Sequence, residues 1–287
     1  MADDFEIQTA EELFEPLMDE LFAIDYGDSD AIIVVEQKIY NALQQNPAQI
    51  EGLITLMLAQ TMLGNRDKAK ALANKIWEIG GELPRFFELI FVANLLNLGL
   101  LDMASVLLKP RFERLLENAG YFYPVMIKFA LMTGNISLLQ RLEAFPDSED
   151  DRLLFELIDV YEEGKFTDQF KNIQKLVLEN AGNFLCAYEY NLYDDRGFPE
   201  IEIELYVNLD SSSCDRLEKI LLTKIDAFWR STGNEPLNNY TVSVLNIKAH
   251  SAWDEEEEEA SETEETSDEI DDEWSAKAAE WGQIPRN

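Results

Sequence analysis

Apolar residues recur at helical spacing over the first 180 residues of the chain, and three glycines divide this region at regular intervals. Gly64, Gly99 and Gly134 each follow an apolar run and precede another, with 35 residues between successive glycines. A fixed period in the thirties with a small residue at the turn is typical of stacked helical hairpins. The predicted hairpins cover about 48–80, 84–117, 120–145 and, less regularly, 150–180, the last turning at Gly164-Lys165-Phe166.

The columns around these glycines agree in residue type. Ala69, Ala104 and Leu139 stand five residues after the three glycines, and an apolar residue stands seven before and eight after each one. At the start of the chain, Thr9 and Glu12 have the spacing of a capping box, which predicts the beginning of the first helix. Residues 1–180 are therefore predicted to form a helical domain in which leucines at four-residue spacing, Leu13, Leu17 and Leu21, make the first buried face.

Several of these residues resemble the tetratricopeptide repeat. Gly64 with Ala69, and Gly99 with Ala104, are similar to its inter-helix turn and small packing residue. The similarity covers residues 12–180, and it implies an αα-hairpin solenoid whose concave face binds peptides or extended protein segments. An irregular stack of helical hairpins without a peptide groove is the alternative that the residues leave open. The residues that resemble the closing half of the repeat are Ile39, Ala42, Leu43, Asn46 and Pro47.

After Gly182 the period of the apolar residues changes from about 3.6 to 2. Alternation along 184–192 and 200–209 predicts two strands, each with one face toward water. A helical stripe at 217–228 and a last alternating run at 240–244 complete a ββαβ unit. We expect a small α+β domain over residues 183–250, and its unpaired sheet edges could join two copies of the chain as a homodimer.

The net charge of −34 is unusual for a folded chain of 287 residues. Residues 251–287 carry fifteen acidic and two basic side chains, and the remainder carries 42 acidic and 21 basic ones, so the folded part alone has a charge of −21. Such an excess argues against direct binding of nucleic acid, because that affinity comes from lysine and arginine. Tyr193 and Tyr206 are expected on the open sheet face, but flanking glutamates argue against an RNA-stacking platform. The charge favours basic protein partners, with solubility alone as the alternative.

The end of the chain contains two segments of different composition. Residues 251–273 are rich in acids, serine and threonine, so we expect a disordered tail. Four residues from Ile270 onward recur at i, i+4, i+8 and i+11, which predicts a short helix with two tryptophans on one face. This helix could dock on a partner, fold back onto its own domain or stay solvated. The residues predicted to contact a partner are Trp274, Ala278, Trp281, Glu255, Glu256, Glu257, Glu258 and Glu259.

The chain offers few groups for catalysis. Cys214 follows the serines at 211–213 that are expected to cap a helix, and a helix N-terminus lowers the pKa of a thiol. Cys186 is expected to point with Tyr188 into the sheet core, and His250 stands at the junction with the tail, where no neighbour would orient it. These residues match no zinc spacing. We therefore predict no enzyme, no metal site and no cofactor.

The first residues of the chain and its most apolar run indicate the cellular compartment of the protein. No positively charged segment of the secretory type opens the chain, and the apolar run at 86–101 is interrupted by polar residues and too short to span a bilayer. Two cysteines in a chain of this size indicate a reducing compartment. We expect a cytoplasmic protein that does not bind membranes.

Three hypotheses of function follow from these patterns. The first is a non-enzymatic scaffold, adaptor or chaperone that binds a basic protein or segment through its acidic helical-repeat surface and acidic tail. The second is a structural subunit of a larger complex, anchored by Trp274 and Trp281. The third is an acidic mimic that occupies the nucleic-acid site of another protein. An enzyme ranks last, because paired acids such as Glu202 and Glu204 fall on a solvated strand face.

Overall fold

The computed structural model describes residues 9–25, 28–44, 46–113, 115–145, 151–195, 198–232 and 239–248. The chain divides into two units, Met1–His250 and Ser251–Asn287, and every residue described here belongs to the first. This unit is mainly helical and carries a small three-stranded sheet. The predicted acidic tail and its terminal helix lie outside the described residues.

The elements follow the order that the periodicity predicts. Helical hairpins come first, and the ββαβ unit follows them. The helices before the sheet are α1 (Ala10–Phe22), α2 (Ser29–Leu43), α3 (Ile50–Met62), α4 (Arg66–Ile79), α5 (Arg85–Asn97), α6 (Leu101–Glu113), α7 (Leu115–Thr133), α8 (Ile136–Leu142), α9 (Arg152–Glu163) and α10 (Thr167–Ala181). The remaining elements are β1 (Leu185–Asp195), β2 (Phe198–Val207), α11 (Ser211–Thr232) and β3 (Tyr240–Asn246).

Four hairpin turns have the same backbone hydrogen-bond pattern, the Schellman motif. After α3, the N–H of Gly64 donates to Thr61 and that of Asn65 donates to Gln60. The same two bonds recur after α5, α7 and α9. The residue in the left-handed conformation is Gly64, Gly99, Gly134 and Lys165 in turn, with φ of 69, 68, 61 and 59°. The fourth turn was placed correctly by the sequence pattern, but its left-handed residue is a lysine and not the neighbouring Gly164.

The first helices of the middle hairpins form the centre of the helical part. Every residue of α3 from Gly52 to Met62 is buried, and α5 and α7 are also apolar around most of their circumference. Helices that are apolar all round lie in a core. Here α3 contacts α2, α4, α5 and β1, while α5 contacts α3, α6, α7 and β1. No face of α3 is left for a peptide, and the resemblance to the tetratricopeptide repeat remains a prediction.

The first hairpin begins as the sequence predicts. The Glu12 N–H donates to Thr9 Oγ1 at 3.2 Å, and the Thr9 N–H donates to Glu12 Oε2 at 2.8 Å, which completes the capping box. The fully buried face of α1 consists of Phe14, Met18 and Leu21. The other two predicted core leucines of α1 are only partly buried at its edge.

The sheet has the order β1-β2-β3. β1 and β2 form an antiparallel hairpin, and β2 pairs with β3 in parallel after the crossover through α11. Ile203 lies opposite Tyr190 on one side and Val242 on the other, so alternate residues of all three strands share the core face. α11 contributes buried residues at helical spacing to the same core: Leu217, Leu221, Ile225 and Trp229. Helices and sheet thus share one hydrophobic core.

A bulge at the start of β1 moves Cys186 away from its predicted place. The register with β2 shifts between Leu185 and Ala187, so two consecutive residues leave the core face. Cys186 and Ala187 pack with Tyr206 in a small separate cluster, whereas Leu185 belongs to the main core. Cys186 is buried, as expected, but in a cluster separate from that of Tyr188, because strict alternation does not survive a bulge.

The cap of α11 also differs from the prediction. Asp210, and not one of the serines, accepts the N–H of Ser213 at 2.9 Å, while the hydroxyls of Ser212 and Ser213 donate to the same carboxylate at 2.6 and 2.9 Å. These bonds hold the pKa of Asp210 at about 2, below its ordinary value. A carboxylate is the better acceptor for helix N-terminal N–H groups, and here it stands one residue before the serines.

Candidate protein-binding surface

The solvent face of the β1–β2 hairpin is acidic. Side chains alternate across a strand, so every second residue points away from the core. On this face lie four glutamates, Glu189 on β1 and Glu200, Glu202 and Glu204 on β2, which together are named the acidic sheet face. Two tyrosines share it, as predicted, with Tyr193 exposed and Tyr206 largely covered.

The register of the hairpin brings like charges together. Glu189 lies directly opposite Glu204, and Glu202 lies opposite Asn191. Carboxylates directly opposite each other in an antiparallel pair repel and destabilise the sheet. Glu189 and Glu204 therefore repel each other, and the ion pair of Glu189 with Lys128 relieves part of that repulsion.

Hydrogen bonds hold two of these carboxylates in place. Glu202 accepts from the Tyr193 hydroxyl at 3.0 Å and from the Ser243 hydroxyl. Glu204 accepts from Asn191 Nδ2 and from the Tyr206 hydroxyl, each at 2.8 Å. The hydrogen bond to Glu202 raises the pKa of Tyr193, and burial, followed by the bond to Glu204, raises that of Tyr206. Hydrogen bonds within the chain thus fix the positions of both carboxylates.

One lysine reaches the acidic sheet face from the helical part. Lys128 Nζ on α7 lies 2.9 Å from Glu189 Oε1, and its side chain is only 13% exposed, against 50% for Glu189. Burial lowers the pKa of Lys128, and Glu189 opposes that shift. Among the ion pairs of the described residues, this one alone involves the acidic sheet face, so most of its charge is uncompensated.

Neither a family model, nor a curated protein, nor a solved structure matches this chain.

Neither cysteine has the lowered pKa of a nucleophilic thiol. Burial raises the pKa of Cys186. The expected lowering of the Cys214 pKa is wrong, because burial raises it and the carboxylates of Asp210, Asp215 and Glu218 raise it further. Both thiol pKa values are thus shifted away from the thiolate, which is the reactive form of cysteine.

The remaining predicted residues fall outside the described part of the chain. His250, the run Glu255–Glu259, Trp274, Ala278 and Trp281 all belong to this group. Within the described ranges, no three His, Cys, Asp or Glu side chains are grouped to hold a metal ion. Over those ranges, too, the structure contains no helix with the length and apolar character needed to cross a membrane.

A polar cleft of about 290 Å³ lies where the first glycine turn meets the sheet. Arg66, Lys68 and Asn208 are among its lining residues. The Arg66 guanidinium, however, donates to the backbone oxygens of Leu98 and Gly182 at 2.9 and 2.6 Å. This cation therefore serves the packing of the helices, and the cleft does not rival the acidic sheet face.

Proposed function

We propose that this protein is a non-enzymatic binding scaffold that holds a basic protein or a basic segment of one. The observation that carries the proposal is the acidic sheet face, where four glutamates meet one largely buried lysine. Glu202 and Glu204 are already held by hydroxyl and amide donors. Less ordering entropy is lost when such carboxylates pair with an incoming arginine or lysine.

Electrostatics sets the expected strength of this interaction. Exposed ion pairs contribute roughly 0.2–1 kcal/mol each, so several pairs on one face give a moderate affinity that falls with salt. The net charge of −34 adds long-range attraction, which speeds the encounter with a basic partner. Affinity should therefore depend on which glutamates are present, and the encounter rate on total charge.

The packing of the hairpins supports an outer surface as the binding site. α3 and α5 are surrounded by other helices and by β1, so a peptide has no access between them. Binding on the sheet requires no opening of the core. The acidic tail is predicted to contribute to binding of the basic partner. It lies outside the described residues, and its contribution remains part of the proposal.

The test compares two variants of equal charge. The first replaces Glu200, Glu202 and Glu204 with Gln. The matched control replaces three exposed glutamates on helices, Glu78→Gln, Glu163→Gln and Glu179→Gln. A labelled extended peptide of alternating arginine and threonine is titrated at low salt by fluorescence anisotropy. We expect the sheet variant to weaken binding at least about tenfold, which corresponds to about 1.4 kcal/mol, and the control to change it less than about twofold.

Two results would contradict the proposal. Equal losses in both variants would mean that only total charge matters, as expected from solubility alone. Affinity unaffected by salt would exclude an electrostatic partner. The assembly-subunit hypothesis makes a separate prediction, since removing residues 270–287 would then release the protein from its complex.

A further inference from the structure

The outward face of α2 exposes apolar side chains. Ile33, Val34 and Tyr40 are 49, 59 and 43% exposed. Ile33 and Tyr40 are seven residues apart, with neutral Gln37 between them, so they form one stripe along the helix with Val34 beside it. These three apolar residues are named the α2 patch.

The opposite face of α2 is already used. Ile32, Val35, Ile39 and Leu43 are buried against the rest of the protein. A surface helix normally has one apolar face and one charged face. In a stack of hairpins the terminal hairpin in particular needs a polar outer face to remain soluble. The outward face of α2 is mixed instead, because exposed Asp30, Gln37 and Lys38 lie around the α2 patch. An exposed apolar group with a polar rim marks an interaction site.

Two acidic side chains lie close to the α2 patch: Glu36 interacts with Tyr40, and Glu20 pairs with Lys38, one turn from Val34. The exposed face of the neighbouring α1 carries Glu15, Asp19 and Glu20, and the Glu20–Lys38 ion pair at 2.5 Å joins this acidic ridge to α2. Residues 9–44 contain nine acidic side chains and one lysine, hence a charge of −8. An apolar stripe beside an acidic ridge is complementary to an apolar stripe beside a basic one.

We propose that the α2 patch docks an amphipathic helix of a partner protein, with apolar residues at i, i+3 or i+4 and i+7 and with lysine or arginine along one flank. The 15 residues of α2 span about 22 Å, which matches about four turns of such a helix. A second copy of this chain would bring one acidic ridge against another. An anionic lipid surface would meet the same repulsion.

This interaction does not depend on the acidic sheet face. The two surfaces lie on different elements, α2 and the β1–β2 hairpin, and neither contributes a residue to the other. Substitutions on one surface should leave binding at the other unchanged. Failure of the sheet proposal therefore leaves this inference standing, and the reverse also holds.

The test uses the full chain and a labelled 18-residue peptide, designed as a helix with leucines on one face and lysines and arginines on one flank. A peptide of the same composition in scrambled order is the probe control. The variant Ile33→Ser with Val34→Ser removes the centre of the patch. Its matched control, Val160→Ser with Val106→Ser, removes two aliphatic side chains of similar exposure, 42 and 59%, from α9 and α6.

We expect the patch variant to weaken peptide binding at least about tenfold, because two aliphatic side chains no longer become buried in the complex. The control should stay within about twofold. Asp19→Asn with Asp30→Asn should weaken binding and reduce its salt dependence. Circular dichroism and urea unfolding verify that all variants keep the fold.

Several results would overturn the inference. Equal affinity for the scrambled peptide, or equal losses in patch and control variants, would mean that composition alone is recognised. Self-association of the wild type that the patch variant abolishes, measured by sedimentation, would assign the patch to a second copy. If the wild type binds no peptide but Phe5→Ser with Ile7→Ser does, the patch is covered by the chain's own first residues.

Discussion

Gly99 and Gly134 have nearly the same left-handed backbone, with φ of 68 and 61°, but they stand in different surroundings. A Cβ at Gly99 would meet its nearest atom, a Leu185 methyl, at 3.7 Å, which is an ordinary contact. A Cβ at Gly134 would lie 2.4 Å from Lys171 Cα and 3.0 Å from its backbone nitrogen, so α10 would have to move. The second glycine is required by packing as well as by the turn.

The Gly99→Ala variant should lose about 1–2 kcal/mol of unfolding free energy, the ordinary cost of a left-handed residue with a side chain. Gly134→Ala should lose clearly more, because the backbone strain is joined by the clash with Lys171. Urea denaturation of both variants measures the difference. Gly99→Ala, at a site with room for the new methyl group, is itself the control for the backbone strain. Equal losses at 99 and 134 would refute the packing argument.

At the fourth turn the left-handed residue is Lys165 and not a glycine. Its φ of 59° completes the same Schellman motif that glycine completes in the other three turns. A lysine in this conformation carries strain, and the glycine beside it, Gly164, has an ordinary helical backbone. Sequence identifies the turn from the glycine, whereas the hydrogen-bond pattern decides which residue takes the left-handed position.

Among the elements, α4 joins the hairpins to the sheet through one side chain. Arg66 Nε donates to the Leu185 oxygen at the start of β1, and Nη2 donates to Leu98 and Gly182. Leu98 and Gly182 are the C-caps of α5 and α10, where the carbonyl groups carry the negative end of the helix dipole. One cation thus satisfies two helix ends and the entry to the sheet.

Replacing Arg66 with Met keeps much of the volume and removes all three hydrogen bonds. We expect a loss of about 3 kcal/mol in unfolding free energy, because bonds from a charged donor contribute about 1.5–3 kcal/mol each and this side chain is only half-buried. Arg230→Met is the control, since Arg230 is 79% exposed and, among the described residues, pairs only with Asp226 in the same helix. Its loss should stay below about 0.5 kcal/mol. A similar loss at both positions would remove Arg66 from this role.

A side chain of α11 also accepts a hydrogen bond from a backbone N–H at the edge of the sheet. Glu218 accepts the N–H of Val244 at 2.9 Å, and Val244 lies in β3, an edge strand. An occupied edge amide is less available for pairing with another chain. The homodimer through a sheet edge remains a prediction, and this bond disfavours the β3 edge as its location.

For the folded unit as a whole, buried tyrosines dominate the response to alkali. Burial is the first cause of the raised pKa in five of them: Tyr161, Tyr188, Tyr190, Tyr206 and Tyr240. Unfolded tyrosine titrates near pH 10. Below that pH both states keep the proton and these groups leave the stability unaffected; above it the unfolded chain releases protons that the folded chain holds.

The free energy of unfolding should therefore decrease as the pH rises above about 10, with the decline continuing through the raised pKa values of the folded state. A smaller decline begins near pH 8.5, about the pKa of an unfolded cysteine, because burial also raises the pKa of Cys186 and Cys214. Lys128 acts in the opposite sense, because its lowered pKa makes stability rise with pH, but it is one group against five. Urea unfolding between about pH 8 and pH 11, with tyrosinate absorbance, measures the effect. A constant stability across that interval would contradict it.

Tyr161→Phe gives this prediction an internal control. The Tyr161 hydroxyl is buried and has no hydrogen-bond partner among the described residues. Its removal should leave the stability near neutral pH unchanged or slightly higher, since no bond is lost. The alkaline decline should become shallower, because one fewer group releases a proton on unfolding.

Much of the architecture follows from local pattern. Glycine spacing predicts the hairpin turns, period-2 alternation predicts β1, β2 and β3, and Thr9 with Glu12 predicts the first cap. These features depend on residues close together in the chain, so sequence carries them. The glutamates of β2 likewise follow from alternation, which assigns them to the solvent side of the sheet.

Only the tertiary structure decides what those elements face. The bulge at Cys186, the use of Asp210 as the cap and the raised pKa of Cys214 depend on neighbours that pairing and burial supply. Periodicity marks α3 as buried without saying that β1 helps to cover it. It marks α2 as a helix without saying that Ile33 and Val34 stay exposed. Apolar residues favour burial of one face of an element. Long-range packing determines which of these faces are covered by other parts of the chain.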